Sequence, residues 1–304
     1  MYYYTLNEYL KKAFGEKVYK LALHSGTTCP NRDGKLDTRG CIFCSGSGSG
    51  DFAEQCKASV TEQIESAKLR VSKKLQNGKY IAYFQSFTAT YGPIDELKRK
   101  FEEAINHPDI VAISVATRPD CLPDEVLELL INLNKIKPVW VELGLQTIHK
   151  STADYIRRGY ELEVFDKAVA DLKKFGLKVI VHLIIGLPNE TQDMILQSAR
   201  YVGEMQVDGV KFQLLHVLKH TDLEKEYYDN KFTLPTLSEY TKIVAECIKL
   251  IPENTVIHRI TGDCDKKILI APLWSADKKF VYQYMIDYFN EIDLIQGQNI
   301  KDRE

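Results

Sequence analysis

The sequence predicts an α/β protein: a partial (βα)6 TIM-like barrel of parallel strands with a C-terminal helical extension. Three observations predict it. Short β-branched runs alternate with longer amphipathic runs about six times. The strand runs are apolar throughout, which marks strands buried on both faces and therefore parallel. No linker or low-complexity segment divides the 304-residue chain before about residue 265. Right-handed crossovers curl such strands into a barrel. The expected division is a barrel domain with an N-terminal extension over residues 1–265, and the helical extension over residues 266–304.

The elements follow in order. KVYKLALHS (17–25) reads as the first strand. A cysteine-bearing loop comes next and ends in SGSGSGDF (45–52), and residues 56–76 read as a helix. YIAYFQS (80–86) is a strand, and IDELKRKFEEAI (94–105) is a helix with its charges on one face. VAISVAT (111–117) is a strand, and PDEVLELLINL (123–133) is a helix opened by Pro123 and Asp124. VWVELGLQ (139–146) is the fourth strand, with helical stretches between 149 and 175. KVIVHLIIG (178–186) and TQDMILQSARYV (191–202) form the fifth strand–helix pair. GVKFQLLHVL (209–218) is the sixth strand, followed by a helix near 236–250. TVIHRITG (255–262) is a last short strand, and APLWSADKKFVYQYMIDYFNEID (271–293) is the helical tail.

Composition narrows the function. The chain is 44% hydrophobic and 27% charged, as a globular protein is. The opening MYYYTLNEYLKKAF has no apolar core of signal-peptide type. The longest apolar run, VIVHLIIGLP (179–188), is too short to span a bilayer. The expectation is a cytoplasmic protein with no membrane partner. In a reducing compartment, clustered cysteines argue for metal or catalysis, and seven cysteines cannot all pair. A net charge of −2 makes no electrostatic magnet for nucleic acid. The basic pairs Arg157-Arg158, His258-Arg259, Lys266-Lys267 and Lys278-Lys279 read as solvated surface, or as parts of a face that holds RNA phosphates.

Three cysteines lie in CPNRDGKLDTRGCIFC (29–44), on the loop after the first strand. Chemistry in a parallel barrel sits where strands end and βα loops begin. Thiolates at close spacing take zinc or iron–sulfur. Structural zinc wants four protein ligands. Cys29, Cys41 and Cys44 without a fourth suggest a [4Fe–4S] cube with one iron left open to a ligand. The rival readings are a Cys3His zinc site using His24, and three unrelated buried cysteines.

With these residues in view, the chain resembles a radical S-adenosylmethionine (SAM) enzyme. Within that superfamily it is similar to the group related to the radical domain of the Elongator catalytic subunit. The widespread motif is C-x3-C-x2-C, and this chain has the widened first gap of the Elongator-like group, with Phe43 before the last cysteine. FQSFTATYGP (84–93), SVATRPDCL (114–122), VELGLQT (141–147) and HLIIGLP (182–188) match at the ends of the second to fifth strands. TGDCDKKILIAPLWS (261–275) resembles the C-terminal signature of a bacterial radical SAM family of about this length. The likeness covers roughly residues 15 to 275, and the Elongator acetyltransferase domain has no counterpart.

The resemblance implies a [4Fe–4S] cluster and SAM as cofactors. Cys29, Cys41 and Cys44 would ligate three irons, and the fourth would chelate the methionine of SAM. Reductive cleavage would give a 5′-deoxyadenosyl radical that takes hydrogen from the substrate, with a one-electron donor such as flavodoxin or ferredoxin as a partner. Gln85 and Ser86 stand where many members carry Gly-Gly-Glu for the methionine amino group. Thr117 and Arg118 end the third strand, where Arg118 is either a partner for a carboxylate or phosphate or a surface arginine. Glu142 and Gln146, at i and i+4, face one side of a strand. Glu142 is either a SAM contact or part of a structural network, since a lone buried carboxylate is costly. His182 is either a chamber residue or a satisfied core histidine, and Gly186 shapes the loop under the adenine. Lys211 and Gln213 share one side of the sixth strand, and Arg259, Thr261 and Asp263 are substrate candidates. Gly46, Gly48 and Gly50 let backbone run near the cluster or form a linker. Cys56 and Cys247 read as helix packing, and Cys264 as a rim thiol or a passive one. For substrate, the resemblance points to the wobble uridine of tRNA, modified at its C5 substituent with the base flipped into the barrel mouth. A small metabolite is the alternative, and a zinc-containing RNA-binding protein a third.

Overall fold

The structure is a computed structural model that describes residues 2–48, 53, 59–72 and 78–300. The calls on Gly50 and Cys56, and the ends of the helix expected over 56–76, lie outside the described residues. Seven strands form one parallel sheet: β1 (Val18–Leu23), β2 (Lys79–Phe84), β3 (Ile110–Thr117), β4 (Val139–Gln146), β5 (Lys178–Ile185), β6 (Gly209–Leu214) and, past a two-residue β7 (Val217–Leu218), β8 (Val256–Arg259). Their order in space is β1-β2-β3-β4-β5-β6-β8, so the barrel is open between its first and last strands. Every neighbour pair is parallel. The short run at 255–262 thus supplies the seventh strand.

The helices between the strands are α2 (Val60–Val71), α3 (Ile94–Asn106), α4 (Asp124–Asn134), α5 (Lys150–Tyr155), α6 (Leu162–Lys174), α7 (Gln192–Glu204), α8 (Asp222–Tyr228) and α9 (Leu237–Lys249), with α1 (Leu6–Phe14) in front and α10 (Lys278–Glu291) behind. Capping boxes start α1, α2 and α9 at Thr5, Ser59 and Thr236, each contributing about 1 kcal/mol by the usual effect of losing such a cap. The helical stretch expected over 149–175 breaks into α5 and α6 at a turn where Arg157 (φ 58°) and Gly159 (φ 77°) are left-handed. The strand expected over 209–218 ends at Leu214; β7 then pairs antiparallel with β9 (Leu269–Ala271) in a separate ribbon.

The two faces of the sheet are built differently. Leu21, Leu23, Val141, Leu143, Val181 and Phe212 point outward and join one core with Phe101, Leu130, Phe165 and Leu172 of the helices. Val281, Met285 and Phe289 of α10 belong to the same core, so the C-terminal extension packs on the barrel. The inner face is apolar only at its base, where Val18, Ile81, Ala112, Trp140 and Ile180 pack on Leu10 of α1. Above that plug the inner face turns polar, which corrects the reading of strands apolar throughout. Mid-strand residues Lys20, Ala22, His182 and Ile184 are only half-buried, although their outward neighbours Leu21, Val181 and Leu183 are buried. The barrel interior is therefore an open chamber that α1 closes from below.

Candidate metal centre and reaction chamber

The cysteine loop leaves β1 at the C-terminal mouth of the sheet. Its eleven-residue gap folds into a compact excursion. Arg32 N–H donates to the Cys29 carbonyl (2.8 Å), Leu36 N–H to the Pro30 carbonyl (2.8 Å), and Gly40 N–H to the Asn31 carbonyl (2.7 Å). The last bond brings residue 40 back to residue 31, so the chain reaches Cys41 close to where it left Cys29. The Asn31 side chain then bridges the gap: Nδ2 donates to Cys41 Sγ (3.4 Å) and to the Arg157 carbonyl (2.7 Å). Cys44 N–H donates to the Cys41 carbonyl (3.0 Å), making a tight turn of the C-x2-C pair. Arg32 ties the loop down through the Cys44 and Ser45 carbonyls (2.8 and 2.6 Å). Gly48 (φ 60°) lies so close to Phe87 that a Cβ would meet the ring at 2.2 Å.

Burial pushes the Cys41 thiol up to about 12, with the neighbouring Cys44 and Cys29 adding to the rise. A cation held among the three sulfurs reverses that penalty, so the donor set fits a soft metal centre. A single tetrahedral zinc holds its ligand sulfurs about 3.8 Å apart, from bonds of about 2.3 Å. Among the described residues, these cysteines and His24 form no set of three ligand atoms within 4.8 Å of one another. His24 Nδ1 instead accepts from Gly26 N–H (2.8 Å), and its ring packs on Phe87. A cube holds each ligand sulfur on a separate corner, and three thiols on one loop can supply three of its corners.

Below the mouth, Glu142 sits at the centre of the chamber floor, 1% exposed. Its Oε1 accepts from Lys20 Nζ (2.6 Å) and Ser114 Oγ (2.6 Å), and its Oε2 from His182 Nε2 (2.7 Å) and from Lys211 Nζ. Lys211 also reaches the Tyr83 hydroxyl (3.2 Å), and both lysines lie over the Tyr83 ring. Gln213 Nε2 donates to His182 Nδ1 (3.1 Å), which makes the imidazole neutral with its proton on Nε2. Burial and Lys211 push His182 down to about 4, in agreement. Burial alone would raise Glu142; Lys20, Lys211 and His182 hold it well below the usual carboxylate range. Lys211 falls to about 7 because burial, helped by Lys20 and Arg259, outweighs the one carboxylate it shares. Glu142 lies on β4 four residues before Gln146 at the strand end.

The predicted site residues separate into groups. Gln85, Gln146, His182 and Gly186 stand half-buried on the chamber side. Gly186 is left-handed (φ 93°), and a Cβ there would meet Pro235 at 3.1 Å. Ser86 is fully buried just past β2, and among the described residues its Oγ has no hydrogen-bond partner. Thr117 turns away from Arg118: its hydroxyl bonds Thr90 Oγ1 (2.5 Å), which donates to the Cys121 carbonyl (2.5 Å). Arg118 is buried rather than a surface arginine, and its guanidinium is taken by Asp120 (2.9 and 2.8 Å) and the Arg158 carbonyl (2.7 Å). Gln146 breaks the alternation that would align it with Glu142. It is left-handed (φ 64°), follows a register shift after Gly144, and folds its amide back over that glycine.

Two basic pairs are not surface charge. Arg158 is 3% exposed and donates to the carbonyls of Leu145, Thr147 and Tyr160. Arg157 pairs with Asp222 (2.5 Å). His258 packs edge-on against Trp140 at the barrel base. Cys247 is fully buried in α9, and Cys264 is 8% exposed beside Leu218 and Leu269. Sequence reasoning missed Lys20, Asn31, Tyr83 and Ser114. The available signal was a lysine inside an otherwise apolar strand, in step with Val18 and Ala22.

A three-thiol loop at the mouth of an open parallel barrel, above a polar chamber, defines the radical SAM class of enzyme. The radical SAM superfamily pattern matches residues 27–202, and the radical SAM C-terminal domain matches residues 207–289. The chain belongs to the radical SAM superfamily, which implies a [4Fe–4S] cluster and SAM as its cofactors. It is 44% identical over 276 residues to YtqA of Bacillus subtilis, covering 91% of this chain and 86% of YtqA. It is 26% identical over 194 residues to the tRNA uridine(34) acetyltransferase of Methanocaldococcus jannaschii, covering 62% of this chain and 35% of that protein. Elp3 of Methanocaldococcus infernus has the same fold, with a TM-score of 0.68 at 18% identity over 92% of this chain and 64% of that one. Among the described residues no helix is long and apolar enough to cross a membrane.

Proposed function

We propose that this radical SAM enzyme acts on tRNA, at the C5 substituent of the wobble uridine. The observation that carries the reading is the sequence match to a tRNA uridine(34) acetyltransferase over residues of the barrel, joined to the shared fold of Elp3. When bound, the cluster and SAM together supply one-electron radical chemistry. Cys29, Cys41 and Cys44 hold the cluster, and Asn31 orients Cys41 through its amide. Gln85, Gln146, His182 and Gly186 line the wall that SAM meets, and the buried, unpartnered Ser86 hydroxyl accepts or donates one hydrogen bond to it. Thr117, Arg118 and Glu142, whose polar atoms are already engaged, position these groups. The walls exclude water from the reacting base, which enters flipped from its stack. The described part of the C-terminal extension, residues 266–300, serves as a brace on the barrel, through β9 and α10.

The test is the nucleoside profile of tRNA from a strain lacking the gene, complemented with wild type or with Cys29→Ala. A uridine-34 derivative should change on deletion and return only with the wild type. An unchanged profile would remove tRNA as the substrate.

A further inference from the structure

Arg259 ends β8 half-buried, opposite Lys211 in the sheet register. Its register partner Lys211 reaches Glu142 inside the chamber, and residues paired across neighbouring strands share a face, so Arg259 lies on the chamber side. Among the described residues its guanidinium has no hydrogen-bond or ion-pair partner, and Glu142 is the one carboxylate touching any of the chamber cations. Lys20, Lys211 and Arg259 against Glu142 leave an excess of positive charge in a largely dehydrated space. Such an excess destabilises the empty protein, and an anion entering from the mouth would relieve it.

We propose that the chamber receives a carboxylate of the substrate, held in a two-bond fork by Arg259 with the Lys211 ammonium beside it. A planar guanidinium matches a carboxylate in this way. Lys20 and Lys211 share the Glu142 carboxylate and Arg259 does not, so the donors left open are those of one guanidinium, which one carboxylate fills. Saturating SAM throughout the test separates this carboxylate from that of SAM. The inference rests on the chamber being the substrate site; it specifies which chemical group the substrate brings there.

The test uses the anaerobically prepared holoprotein with saturating SAM at constant ionic strength, and follows thermal unfolding against added acetate, acetamide or inorganic phosphate. Acetate should raise the unfolding midpoint saturably, acetamide should not, and phosphate should do so less. Arg259→Gln should weaken the acetate response at least tenfold while raising the midpoint without acetate, because it removes a like charge and loses no partner. Arg259→Lys should keep part of the response. Equal responses to acetate and acetamide, no response, or a response unchanged in Arg259→Gln would overturn the proposal. So would a stronger response to phosphate, or an acetate effect that SAM abolishes. None of these readouts involves RNA, so the carboxylate and tRNA readings fail separately.

Discussion

The Asn31 amide donates to the Cys41 sulfur at 3.4 Å, across the eleven-residue gap that separates Cys41 from Cys29. The same Nδ2 reaches the Arg157 carbonyl on the loop behind the cysteines. Replacing Asn31 with Leu removes both bonds and leaves that carbonyl without its amide donor, at a cost of about 1–3 kcal/mol. Asn31→Leu should unfold at lower urea and retain less iron after reconstitution. Full iron retention at unchanged stability would show that the loop does not depend on this bridge.

Glu142→Gln keeps the shape of the floor and removes its only negative charge in contact with Lys20 and Lys211 among the described residues. Two buried ammonium groups then face each other without compensation. Urea unfolding should report a loss of about 3–5 kcal/mol. A loss below about 1 kcal/mol would mean that the chamber is wetter than its burial indicates.

Lys211 gives a pH signature. Its folded pKa, lowered to about 7, lies below the ordinary lysine value, so between about 7 and 10.4 the unfolded chain binds a proton that the folded one lacks. Stability therefore rises with pH across that window, by at most about 1.4 kcal/mol per unit. Wild type should gain on Lys211→Met as pH rises from neutral toward 10. A stability difference independent of pH would place Lys211 in a fully charged pair.

Arg158 caps the carbonyls of Leu145, Thr147 and Tyr160 from a buried position. Arg158→Ala takes this donor from the Thr147 and Tyr160 carbonyls, while Leu145 keeps the Thr147 N–H, and chemical unfolding should show a loss of about 1–3 kcal/mol. Because this turn backs Cys41 through the Arg157 carbonyl, iron retention should fall as well. A surface basic residue would show neither effect.

The barrel was legible because outward-facing strand positions alternate with helices whose apolar faces repeat at helical spacing. The three thiols were legible because nothing in a globular core needs cysteines at that spacing on a loop after a strand. The chamber was much less so. Glu142 gains its meaning from Lys20, Ser114, His182 and Lys211, which lie on four other strands, and a one-dimensional pattern does not say which strands meet. Thr117 and Arg118 read as a pair, yet strand neighbours point to opposite faces. Gln146 read as in step with Glu142 until a left-handed residue broke the step. Arg157 and Arg158 read as surface charge because a buried arginine and an exposed one have the same letter.

The most direct measurement of the central claim is anaerobic reconstitution with iron and sulfide, followed by incubation with SAM and dithionite. The account predicts a brown protein with about four irons per chain. It predicts 5′-deoxyadenosine only when SAM and reductant are both present, and none from Cys29→Ala, Cys41→Ala or Cys44→Ala. A colourless protein loaded with zinc, or an iron-loaded one that leaves SAM intact under reduction, would contradict it.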